Sequence, residues 1–122
     1  MSKPQDIEPD PNPLAAELIE KTKAGKLKWE PTVDRRAFIV SLGGDTTLKL
    51  HLDTEEQVDP YGQLETVTVT CLSLLDAKGN ILWDIRNHKV KGGLMPLYKL
   101  AQRVANKVDE RLANIMDSLR NL

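Results

Sequence analysis

The sequence predicts an α+β domain: one helix, a five-stranded antiparallel meander sheet, and a long C-terminal helix, with both helices on one face of the sheet. Three observations carry this. Apolar residues recur every three or four positions at Leu14, Ala15, Leu18 and Ile19; the period shortens to two between Leu27 and Ile85; and it lengthens again from Leu97 to Leu122. A period near 3.6 keeps side chains on one stripe of a helix, and a period of two puts them on one face of a strand. Helix, strands, helix in that order is an α+β arrangement, since consecutive strands joined by short turns pair antiparallel.

The elements follow in chain order. Residues 1–12 hold Pro4, Pro9 and Pro11 among acids and little apolar content, the composition of a flexible tail, so the domain is expected over 13–122. Asn12 is a candidate N-cap, with Pro13 in the first turn and Gly25 as the left-handed stop. Leu27, Trp29, Pro31 and Val33 alternate as a first strand, which Pro31 places at a sheet edge. Phe38, Val40 and Leu42 form the second, Gly43-Gly44 the hairpin turn, and Leu48, Leu50 and Leu52 the third. An acidic loop is expected from about Thr54 to Gln63. The fourth strand, Glu65–Leu75, sets Val67, Val69 and Cys71 against Thr66, Thr68 and Thr70, then blurs at Leu72, Leu74 and Leu75, which suggests a bulge or cover on both faces. Ile81, Trp83 and Ile85 make the last strand, and Gly92-Gly93 breaks the chain before a helix with Pro96 in its first turn. The inward face is read as Trp29, Phe38, Val40, Leu48, Leu50, Leu52, Val67, Val69, Ile81, Trp83 and Ile85. The other face, with Lys28, Ile39, Lys49, His51, Thr66, Thr68, Thr70, Asp84 and Arg86, is expected to meet water.

Composition narrows the function classes. The 122 residues carry a net charge of −1, without the basic excess usual in nucleic-acid binders. Cys71 is the one cysteine, so no internal disulfide forms; the acidic, proline-containing start is unlike a secretory signal, and a reducing, cytoplasmic location without membrane insertion is expected. Two histidines and one cysteine lie far apart with no metal-ligand spacing, so no metal and no cofactor is expected. The segment 51–70 holds five acids and no Lys or Arg, whereas 21–30 and 91–122 are basic.

Two groups of candidate binding residues stand out. On the open face, Lys49, His51 and Asp84 come close enough in principle for general-base chemistry with a hydroxyl such as Thr68, although cross-strand polar pairs also stabilise sheets without any function. No catalytic residue is assigned. Arg86, His88, Lys89 and Lys91, followed by two glycines and a helix start, resemble an anion-binding loop without matching any nucleotide motif. A further basic row, Lys99, Arg103, Lys107 and Arg111, drifts around its helix and makes no flat patch. Cys71, among Val69, Leu72 and Leu74, reads as a buried, inert thiol.

The terminal helix is the sharper clue. From Pro96 to Asn121 it spans about 39 Å, against about 25 Å for a strand of seven or eight residues. Leu112, Ile115, Met116, Leu119 and Leu122 lie in the overhang and call for cover from the first helix or from a second copy in a homodimer.

Two passages, Leu18–Glu30 and Leu97–Ala101 with Val108-Asp109-Glu110, resemble small uncharacterised bacterial α+β proteins. Those have a helix ending in Thr-x-x-Gly-Lys-Leu-x-Trp, a β-meander and a closing Leu-Tyr-x-Leu-Ala helix. The resemblance implies the same layout and no activity. The expectation is therefore a non-enzymatic binding or adaptor domain contacting another protein, with phosphate or nucleic-acid binding through 86–91 and the C-terminal helix flank as the alternative.

Overall fold

The computed structural model describes residues 9–122, and its elements follow the predicted order. They are α1 (Asn12–Lys23), β1 (Glu30–Pro31), β2 (Ala37–Ser41), β3 (Thr47–Val58), β4 (Leu64–Leu75), β5 (Ile81–Arg86), a 3-10 turn (Asn87–Lys89), α2 (Met95–Ala105) and α3 (Val108–Arg120). The sheet is an antiparallel meander in the order β1-β2-β3-β4-β5. Among the described residues, no helix is long and apolar enough to cross a membrane. Most of the expected tail, residues 1–8, lies outside the described residues.

α1 starts one residue earlier than expected, and Asn12 does not cap it. The Asn12 side-chain oxygen instead accepts the Lys91 N–H at 2.7 Å, while the Asp10 carboxylate accepts from the Asn12 backbone and side-chain N–H groups. The helix ends as its sequence dictates. Gly25 takes φ +74°, letting Lys26 N–H reach back to the Lys21 carbonyl at 3.0 Å and Gly25 N–H to that of Thr22, the paired bonds of a left-handed helix stop.

The principal correction concerns β3 and β4. The expected loop from Thr54 is strand as far as Val58, and the connection contracts to Asp59–Gln63. Asp59 makes this tight turn: its carboxylate accepts the N–H groups of Tyr61 and Gln63, and Gly62 supplies φ +81°. The β3–β4 ladder then runs without slippage from Val58↔Leu64 to Thr47↔Leu75. Its parity reverses the sequence reading of β4. Leu50 faces Leu72 and Leu48 faces Leu74 on the helix side, so Thr66, Thr68 and Thr70 share that side, and Val67 and Val69 fall on the open face opposite Glu55 and Asp53. The bulge sits between Leu74 and Leu75, against β5. It leaves Ile81, expected inside, exposed, along with Leu82. Val33 is likewise exposed, and β1 shrinks to two residues because Pro31 cannot donate to a ladder.

α1 and α2 cover the inner face. Ala15 and Leu18 from α1 and Leu97, Tyr98 and Ala101 from α2 pack with Phe38, Val40, Leu48, Leu50, Leu72 and Ile85 in one core. Phe38 and Tyr98 meet edge to face at 5.4 Å, the favourable arrangement for ring quadrupoles. Trp29 is buried under the end of α1, where its indole N–H donates to the Thr22 hydroxyl at 3.0 Å and that hydroxyl donates to the Leu18 carbonyl. At the start of α2 the Asn87 side chain accepts the Leu94 N–H at 2.6 Å. It lies so close to Gly93 that a Cβ there would come within 2.7 Å of it.

The C-terminal segment is helical as expected but not continuous. α2 ends where its cover ends, since Ala105 is its last buried residue, and Lys107 then adopts φ +53°, the one non-glycine positive φ among the described residues. A single left-handed residue redirects the chain at a cost of about 1–2 kcal/mol. Arg103 spans the corner by donating twice to one Asp109 carboxylate oxygen, at 2.6 and 3.0 Å. α3 packs on neither the first helix nor the sheet: every residue from Asn106 to Leu122 is exposed.

Thr22→Val keeps the shape of the side chain but leaves the buried Trp29 N–H without a partner. The expected loss is about 1–3 kcal/mol of unfolding free energy by denaturant titration, with Thr22→Ser close to wild type.

Candidate functional site

Antiparallel pairing lines up two rows of polar side chains on the open face. One row runs Lys49, Ser73, Asp84 and the other His51, Cys71, Arg86 across β3, β4 and β5. The structure therefore brings together four of the candidate residues, Lys49, His51, Asp84 and Arg86. Thr68, the hydroxyl expected beside them, points to the other face. The hydroxyl that joins them is Ser73, hidden in the sequence inside the apolar run Cys71-Leu72-Ser73-Leu74.

Ser73 is buried to 1% exposure and bridges its neighbours. Its Oγ donates to Asp84 Oδ1 at 2.7 Å and lies 3.0 Å from His51 Nε2, while His51 and Asp84 are 4.0 Å apart. Because the hydroxyl hydrogen is committed to the carboxylate, His51 must donate through Nε2–H, which leaves Nδ1 as its basic nitrogen. The proton order is thus imidazole to hydroxyl to carboxylate. An activated nucleophile needs the reverse, with the hydroxyl giving its proton to the imidazole and the carboxylate orienting the ring from behind. This trio holds three side chains in place and does not activate Ser73.

Arg86 closes the network. Its guanidinium lies 3.0 Å from Asp53, 3.5 Å from Glu55 and 3.7 Å from Asp84, and it donates to the Cys71 sulfur at 3.3 Å. The cation sits among three carboxylates, so Arg86 serves the sheet and is not free to meet an anion. Hydrogen bonds from Thr54 N–H and Arg86 hold the Asp53 carboxyl below its ordinary value. Burial pushes the Cys71 thiol up, against the pull of Arg86, which keeps it protonated and unreactive.

The remaining candidates do not join this cluster. His88 and Lys89 are exposed on the 3-10 turn, and Lys91 is exposed beyond it. Three backbone donors of this loop are already used: Lys91 N–H by Asn12, Gly93 N–H by the Val90 carbonyl, and Leu94 N–H by Asn87. The basic helix row is broken as well, because the chain turns at Lys107 and Arg103 is paired with Asp109. A cleft of about 500 Å³ lies instead at the β1 edge, between Leu27, Trp29, Val104 and Lys107. No signal in the sequence marked it, since it exists only because the helix turns there.

No protein-family model, curated protein or solved structure matches the chain.

His51 is held below its ordinary 6.5, first by burial and then by Lys49, with Asp84 and Asp53 pulling the other way. A lowered value means that the folded chain binds a proton less readily than the unfolded chain. The stability this contributes is complete above pH 6.5 and declines as pH falls through that value. The urea midpoint of the wild type is expected to fall between about pH 7.5 and 5, and His51→Gln to flatten that fall. A pH profile unchanged by His51→Gln would contradict the assignment.

Proposed function

We propose that this chain is a protein-binding domain that acts through its surface. The observation that carries the reading is α3: 13 residues with an apolar stripe and not one of them buried. A helix of that length is marginal in water on its own and gains its stability from packing of its apolar face. Leu112, Ile115 and Leu119 each expose more than half of their surface, a contiguous patch of the kind that marks interaction sites.

The other surfaces fit a supporting role. On the open sheet face, His51, Ser73, Asp84 and Arg86 are engaged with one another and with Asp53, Glu55 and Cys71. The acidic β3–β4 ribbon, with Glu56, Asp59 and Glu65 beyond the reach of the Arg86 cluster, offers a charged flank that steers a partner without anchoring it. Phosphate or nucleic-acid binding through residues 86–91 has less support, because Arg86 is engaged with carboxylates and the N–H groups of Lys91, Gly93 and Leu94 already have partners. A cytoplasmic setting fits the single buried, unpaired cysteine.

The reading is tested by capture of native partners on the immobilised full chain, with Ile115→Glu and Lys89→Ala chains in parallel and bound proteins identified by mass spectrometry. Partners specific to the wild type are expected to persist with Lys89→Ala and to be lost with Ile115→Glu. An identical set on all three chains would remove α3 from the function, and loss only with Lys89→Ala would favour the basic loop.

A further inference from the structure

We propose that the partner seated on α3 is a second copy of this chain, the two α3 helices packing antiparallel about a twofold axis. This names the occupant of the surface proposed above and rests on that reading.

The first argument is spacing. Val108, Leu112, Ile115 and Leu119 are separated by four, three and four residues, a two-in-seven seam whose natural complement is another helix with the same spacing. α2 differs: Leu97, Tyr98, Ala101, Val104 and Ala105 form the broader face that suits a sheet, and that is where α2 lies. One chain thus carries two kinds of helix, and the structure covers only the kind that fits a sheet.

The second argument is area. The side chains of the seam, with Met116 beside them, are 43–57% exposed. At on the order of 100 Å² for each, a symmetric pair would bury about 1,000 Å² of apolar surface, the smallest area of a specific interface. That is enough for a second copy and leaves little to spare.

The third is charge. Glu110 and Asp117 are seven residues apart on the face opposite the seam. Asp109, which borders the seam, is already neutralised by Arg103. In the antiparallel register Leu112 meets Ile115 of the other copy and Val108 meets its Leu119, which sets Arg111 near Ser118 of the other copy. No like charges then meet across the seam, and opposite ends of the two helix dipoles lie together. A twofold contact of this type closes on itself and stops at two copies.

Sedimentation of the full chain over roughly 1–500 μM is the test, with association expected at tens of micromolar for an interface at about this size limit. Ile115→Glu is expected to weaken association by about tenfold or more. Asn114→Glu, off the seam, should leave it within about twofold. Neither position is buried, so unchanged near-UV signals from the two tryptophans check that the body stays folded. Amide exchange offers a second readout: protection across residues 108–120 should rise with concentration in the wild type and not in Ile115→Glu. A wild-type chain that stays single to about 500 μM, or an Ile115→Glu chain that pairs equally well, overturns the proposal. If the chain stays single yet loses a captured protein on Ile115→Glu, the second copy is excluded while protein binding through α3 stands.

Discussion

The unbroken β3–β4 ladder is the constraint on which the rest of the molecule depends. Twelve consecutive residue pairs fix the parity of both strands, and a slip of one residue would send every side chain to the opposite face. In the observed register Leu48, Leu50, Leu72 and Leu74 form the floor on which α1 and α2 sit. The same register puts His51, Ser73 and Asp84 within hydrogen-bonding reach and stacks Arg86 over Cys71. The core and the polar cluster are two faces of one alignment, set by the Asp59 turn that joins the two strands.

Much of this was legible in the sequence because it depends on local periodicity. The order of elements, the Gly43-Gly44 hairpin, the edge position of Pro31 and the stop at Gly25 each follow from a few neighbouring residues. The face of β4 cannot be read from its local pattern for a physical reason. In Thr66-Val67-Thr68-Val69-Thr70 both residue types are β-branched and fit a strand equally well, so the apparent alternation carries almost no information about which face meets the helices. The leucines at 72 and 74 fix the parity, and they reverse it. The break at Asn106 and Lys107 was hidden for a different reason: no glycine or proline marks it, and the apolar stripe continues through it. The helix ends where its burial ends, at Ala105, which is a tertiary cause.

The polar cluster was half visible. Lys49, His51, Asp84 and Arg86 group together because their strands alternate cleanly, whereas Ser73 lies in an apolar run on a strand whose local pattern points it to the wrong face. The run from Arg86 to Lys91 looked like one basic unit and is divided by the fold. Arg86 belongs to the sheet and His88 to a turn, and the backbone between Lys91 and Leu94 is occupied in seating α2 and anchoring the start of α1. Sequence adjacency grouped residues that the strand end separates.

The ribbon formed by the outer halves of β3 and β4 has a mechanical consequence. β2 pairs only as far as His51 and β5 only as far as Cys71, so the outer part of the hairpin is a two-stranded cantilever clamped at one end. The clamp is the Arg86 ion cluster, which grips Asp53 and Glu55 just beyond the last supporting strands. Bending motion is smallest at that root and grows toward Tyr61 at the tip, so the outermost backbone bonds open first, while those beside Arg86 move with the rigid body of the sheet.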